Sequence, residues 1–212
     1  GTVLHSAQNL LKVLNDILDF SKIESGKLAF ENIEFDLRPI VEDTVELLVE
    51  IAQARGVEVA TRIDHGLPAM LRGDPGRIRQ VLTNLLGNAI KFTEKGGVSV
   101  SVTHRPQDAD RHRVEIAIQD TGIGIPPERR AEIFVDFGQL HTADVQAGGS
   151  GLGLAICRRI VELMGGSIGV EVGPGGVGSC FWVELPFVEV DGPTAAKQKE
   201  EKRLRRFDGG RL

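Results

Sequence analysis

Apolar positions recur through the first 25 residues at alternating steps of four and three: Val3, Ala7, Leu10, Leu14 and Ile17, with Ser21 closing the row. Leu4, Leu11 and Leu18 form a second row beside them. This spacing predicts one helix over 3–25, and so broad an apolar face suits a hairpin or bundle better than a lone surface helix. Gly26, after Ser25, is placed to take the left-handed conformation that ends a helix.

Beyond that point helical and alternating patterns interleave. Residues 30–37 read as a short extended piece, and Pro39 stands at the start of an apolar helical pattern running from Ile40 to about Ala54. Val57–Ile63 alternates as a strand. Asp74 followed by Pro75 reads as an N-cap with proline at the first helical position, opening a helix to about Phe92. Gly96-Gly97 leads into a strand over 98–103, a polar loop covers 106–112, and 114–119 alternates again. Pro126-Pro127 is expected to start a short helix to Phe134. Residues 138–150 show no period and read as a loop, 152–164 as an amphipathic helix, and 168–172 and 179–186 as strands joined by the glycine-rich turn 173–178. The order predicts an α+β fold: a two-layer α/β sandwich, one mixed sheet with helices on one face, preceded by a long helix. Residues 189–212 mix Lys197, Lys199, Lys202, Arg203, Arg205 and Arg206 with Glu200 and Glu201 and read as a linker.

Composition narrows the classes. The chain has 212 residues, 41% hydrophobic and 26% charged, as expected of a globular protein. Its net charge of -5 gives no electrostatic case for nucleic acid. No apolar run approaches the ~20 residues of a membrane-spanning helix, and no secretory signal opens the sequence. Cys157 and Cys180 each sit in an apolar periodic segment and read as reduced core thiols, which with the missing signal implies a cytoplasmic location. The histidines at 65, 104, 112 and 141 have no metal-ligand spacing and are expected at the surface.

Four segments carry candidate chemistry. Asn84 and Asn88, four apart on one helix, project from the same face, with Lys91 one turn further. An amide oxygen is a hard ligand suited to Mg²⁺, and a neighbouring ammonium can neutralise phosphate, although the same three residues also describe an ordinary solvated face. Asp120-Thr121-Gly122-Ile123-Gly124-Ile125 follows a strand; its carboxylate can accept from the exocyclic amine of adenine while the glycines let backbone approach the base. Phe134 and Phe137 precede the irregular loop. Gly149-Ser150-Gly151-Leu152-Gly153-Leu154 opens a helix whose N-terminal N–H groups can hold an anion. This last segment follows a loop rather than a strand, which excludes a Rossmann reading, and no Walker motif is present.

Taken together, "DPGRIRQVLTNLLGNAIKFTEKGGV", "DTGIGIP" and "GGSGLGLAICRRIVELMGG" resemble the N box, the two glycine boxes and the flanking segments of histidine-kinase catalytic domains, the hybrid sensor kinases in particular. These belong with gyrase, the Hsp90 chaperones and MutL in the Bergerat-fold (GHKL) ATPases. The resemblance covers about residues 30–187 and implies ATP and Mg²⁺ as ligands. It implies Asn88 as the metal ligand and Asn84 as its support, with Lys91 on phosphate. Asp120, Gly122, Gly124 and Ile125 would line the adenine side. Phe137 would help position a lid over 138–150, and Gly149, Ser150, Gly151, Leu152, Gly153 and Leu154 would hold the phosphates. Residues 1–27 resemble the second helix of the dimerisation and phosphotransfer hairpin, 28–188 the catalytic domain, and 189–212 a linker toward a receiver domain. The implied partners are a receiver domain and, through the hairpin, a second copy of the full-length protein.

The sequence departs from that family in two places. His5 is followed by Ser6-Ala7-Gln8-Asn9-Leu10, without the acid and proline that accompany a phosphoacceptor histidine, so the acceptor is expected outside these residues. The segment 138–150 contains no Lys or Arg, leaving His141 as its single potential cation.

Overall fold

A computed structural model describes residues 2–135 and 151–190. Helix α1 spans Thr2–Glu24. Gly26 then takes φ +65°, and its N–H and that of Lys27 return to the carbonyls of Ile23 and Lys22, closing the helix as expected.

Strand β1 (Ile33–Phe35) leads into α2 (Leu37–Ala54). This helix begins two residues before Pro39, because the Asp36 carboxylate accepts from Arg38 N–H and caps it there. Strand β2 (Val57–Ile63) follows, then β3 (Leu71–Gly73), a three-residue strand absent from the sequence expectation. Helix α3 (Pro75–Phe92) starts where the Asp74-Pro75 pair predicts, with Asp74 Oδ1 accepting from Arg77 N–H at 2.9 Å. Strands β4 (Gly96–Pro106) and β5 (Arg111–Asp120) form a hairpin longer than the periodicity alone marks. The expected helix after Pro126 is instead two single 3₁₀ turns, Pro127–Arg129 and Glu132–Phe134, too short for the α-helical bond pattern to establish itself. Helix α4 (Gly153–Leu163) and strands β6 (Ser167–Val172) and β7 (Ser179–Glu189) complete the described residues.

The strands form one mixed sheet in the order β1-β3-β7-β5-β4-β2, with β6 also on β7. Among the described residues only β2 and β4 pair in parallel; the other pairs are antiparallel. Alternate residues of the long strands point to one face: Val98, Val100 and Val102, then Val114, Ile116 and Ile118, then Phe181, Val183, Leu185 and Phe187, all buried. Against them pack Ile78, Leu85 and Leu86 of α3, Ile40 and Val41 of α2, and Ile156 and Ile160 of α4. The opposite face, with Trp182, Glu115 and Glu184, is half-exposed. This is the predicted two-layer sandwich.

Three expectations need correction. Cys157 is a core thiol, but Cys180 points to the open face of the sheet, where burial first and then Glu171, Glu115 and Asp120 push its thiol above the ordinary range. His112 is buried and His104 nearly so, not at the surface. Their rings lie 5.7 Å apart; His104 Nδ1 is 3.0 Å from Asp64 and His112 Nε2 3.0 Å from Glu189. Carboxylates from distant segments engage one nitrogen of each ring, while the buried His112 Nδ1 meets no partner among the described residues. Asp64 is in turn held below the usual carboxylate range by the Gly66 N–H and by His104.

Candidate functional site

The C-terminal half of α3 is the centre of the site. Apolar residues at Val81, Leu82, Leu85, Leu86, Ala89 and Ile90 seat the helix on the sheet, so the intervening Asn88 and Lys91 stay partly exposed. Asn84 is buried at the margin. A Cβ added at Gly87 would meet nothing within 4 Å, so the Gly87 position of the helix faces open space. Lys91 lies with its ammonium 5.2 Å from the Phe92 ring centroid, and its carbonyl accepts from Arg55 at 2.9 Å.

The segment after β5 closes onto the end of α3. Ile123 N–H donates to the Phe92 carbonyl, and a Cβ at Gly122 would collide with that same carbonyl. Thr121 ties the loop to the start of β4: its N–H donates to Gly97 O, while its hydroxyl accepts from Gly97 N–H at 3.0 Å and donates to Lys95 O.

Asp120 ends β5 and is buried. Its Oδ1 accepts two backbone bonds, from Gly122 N–H at 2.8 Å and from Ser179 N–H at 3.2 Å. Among the described residues, no donor meets Oδ2, which remains for a further one. Burial raises the carboxyl above its usual range, and the two N–H groups pull it back. Sequence reasoning missed the Ser179 contact. Gly178 makes it possible: φ is +66°, and a Cβ there would collide with the Asp120 carbonyl. The run of glycines before Ser179 was the available signal.

The start of α4 meets α3 directly. Gly151 takes φ +69°, Leu152 is buried and Leu154 half-buried against the core, and Gly153 opens the helix. A Cβ on Gly153 would lie 3.1 Å from Asn84 Oδ1. The N-cap position, Leu152, supplies no side-chain acceptor, which leaves the first-turn N–H groups suited to an anion. Ile125 is half-buried, and its carbonyl accepts from Arg130 at 3.2 Å.

Three predicted segments therefore converge around α3. Phe137, Gly149, Ser150 and the 138–150 loop lie outside the described residues. Phe134, the other aromatic of that segment, is a core residue packed edge-on to Phe181 with centroids 6.3 Å apart. The groups present fit a magnesium nucleotide: an amide oxygen and an ammonium on one helix face, a carboxylate with a free oxygen, and backbone cleared by glycine. Among the described residues no cluster of three His, Cys, Asp or Glu side chains offers another metal site, and no helix is long and apolar enough to cross a membrane.

Residues 73–189 match the family model described as histidine kinase-, DNA gyrase B- and HSP90-like ATPase. The chain belongs to that family. Within it the chain is of the sensor-histidine-kinase type, similar to hybrid sensor kinases. It is 43% identical over 202 residues to the sensor protein GacS of Pseudomonas syringae, covering 95% of this chain and 22% of that protein. It is 40% identical over 200 residues to the signal transduction histidine-protein kinase BarA of Escherichia coli, covering 92% of this chain and 22% of that protein. Full-length ShkA, solved in complex with AMPPNP, superposes with a TM-score of 0.74 at 38% identity, over 89% of this chain and 38% of that one. The nucleotide-free catalytic domain of ThkA gives a TM-score of 0.57 at 30% identity, over 74% of this chain and 95% of that one. The chain spans about a fifth of the length of the curated relatives it matches.

Proposed function

We propose that this chain binds Mg-ATP between α3, the Asp120–Ile125 loop and the start of α4, and donates the γ-phosphoryl group to a histidine imidazole outside residues 1–212. The observation that supports this reading best is the convergence of the Asn84/Asn88/Lys91 face, the Asp120 loop and Gly153 on one helix. Asp120 Oδ2 accepts from the adenine amine while Ser179 and Gly122 hold the carboxylate still. Gly122, Gly124 and Ile125 flank the base. Asn88 is the metal ligand, oriented by its position on a buried helix, and Asn84 supports it. Mg²⁺ held there supplies charge neutralisation at the phosphate oxygens. Lys91 adds a second positive charge, and the N–H groups from Gly149 to Leu154 hold the phosphates, with Phe137 anchoring the lid.

His104 and His112 are not placed to receive the phosphoryl group. Both are engaged with carboxylates at the end of the β4–β5 hairpin opposite Asp120, eight residues or roughly 26 Å along β5. Water activation is likewise unsupported, because Asn84 stands where gyrase-type relatives place a glutamate. Residues 1–27 act as the second helix of a dimerisation hairpin in a cytoplasmic region: Leu10, Leu14 and Ile17 expose 51–70% of their surface. Residues 28–188 are the catalytic domain, and 189–212 lead toward a receiver domain.

The absence of Lys and Arg from 138–150 favours a second reading, a nucleotide sensor that signals by interaction. Incubating the complete protein with γ-labelled ATP separates the two. Acid-labile phosphohistidine supports the kinase, and nucleotide binding without label supports the sensor.

A further inference from the structure

The start of α3 also bonds to α1, a helix that packs in addition on α4. Asp19 of α1 faces Arg77 and Gln80, one helical turn apart on α3. Asp19 Oδ2 accepts from Gln80 Nε2 at 2.8 Å and from Arg77 Nη1 at 3.3 Å, and the same Nη1 donates to Gln80 Oε1 at 2.8 Å. The pair is mostly withdrawn from water, with side-chain exposures of 21% for Arg77 and 18% for Asp19. Ile23, one turn beyond Asp19, is buried in the core, with Phe20 packed beside it.

The connection after α1 is fixed at the same place. Asp74 is 5% exposed and bridges two segments: Oδ1 caps α3 through Arg77 N–H, and Oδ2 accepts from Glu31 N–H at 2.9 Å. The helix and the chain leaving it are thus both anchored on one turn of α3. That turn lies eleven residues, about 16 Å, from Asn88 along a continuous helix. Helices of this length are stiff, so an orientation imposed at Arg77 is imposed at Asn88.

We infer that Asp19, Arg77 and Gln80 are positioning residues: their cluster sets the angle between α1 and the nucleotide face of α3, and so where the bound phosphates stand relative to the helical hairpin. The consequence for transfer rests on the function proposed above; the joint itself does not.

The test uses the 212-residue chain with Asp19→Ala, Arg77→Ala and the double variant. Alanine favours helix, so any loosening of α1 in Asp19→Ala comes from the lost contact and not from the helix itself. Amide hydrogen exchange over residues 16–24 should quicken about tenfold in each single variant, and no further in the double. Exchange over 84–92 and affinity for Mg-AMPPNP should stay within about twofold of wild type. Unchanged exchange over 16–24 would overturn the joint. Parallel loosening of 84–92 with loss of affinity would also overturn it, as the sign of general destabilisation. In the complete protein, Asp19→Ala should slow phosphohistidine formation at saturating ATP about tenfold without moving KM for ATP. An unchanged rate would overturn the positioning role. Absence of phosphohistidine in the wild type would count against the kinase reading alone, since the exchange result stands without it.

Discussion

Gly153 abuts Asn84: a Cβ on the glycine would lie 3.1 Å from the Asn84 amide oxygen and 3.5 Å from its carbon. The first residue of α4 and the buried asparagine of α3 are thus fitted more tightly than an ordinary methyl contact. Gly153→Ala therefore has to displace the Asn84 amide or the helix start. Mg-AMPPNP affinity should fall about tenfold, or ~1.4 kcal/mol. Urea unfolding should change by less than about 1 kcal/mol, because alanine is otherwise the better helix residue. Unchanged affinity in a titration would separate the two motifs functionally.

Glycines in this chain should divide by what surrounds them. Gly178→Ala forces a side chain into a left-handed conformation and into the Asp120 carbonyl, and should destabilise by about 2–4 kcal/mol. Gly87→Ala places its methyl in open space within α3 and should stabilise by about 0.5–1 kcal/mol. Chemical denaturation of both variants checks the contrast; equal effects would contradict it.

Burial of Asp120 opposes its ionisation in the folded state. Its carboxyl is raised by burial, so the folded state binds the proton more tightly than the unfolded chain does. Its contribution is then most favourable below the unfolded value of 3.8 and is lost as pH rises through the higher folded one. Asp120→Asn keeps an oxygen for Gly122 and Ser179 but carries no charge. It should unfold no more easily than wild type at pH 7, lose ground to it toward pH 3–4, and bind adenine nucleotides at least tenfold more weakly at pH 7, a gap that narrows toward pH 3–4. Melting curves across pH, with a titration at each end, measure this.

Much of this was readable in advance for local reasons. Asp74-Pro75 announces α3 because cap chemistry acts within three residues, and the alternation of 114–119 marks β5 because one face must be buried. Strand β3 escaped notice since three residues show no period; it exists through its partners β1 and β7. His104 and His112 were misplaced for the same reason, their carboxylate partners lying 40 and 77 residues away in sequence. In the site, residue types and spacing singled out Asn84, Asn88, Asp120 and Gly153, which the fold brings together around α3. That Ser179 N–H orients Asp120 depends on the β5–β7 pairing; the glycines before Ser179 mark a close approach but not its partner.

The most direct measurement is a calorimetric titration of Mg-AMPPNP into the wild-type chain and Asn88→Ala, repeated with the metal chelated. Wild type should bind, and chelation should weaken it at least about tenfold. Asn88→Ala should bind weakly with or without metal. Equal, metal-dependent affinity in both proteins would contradict the assignment of this site.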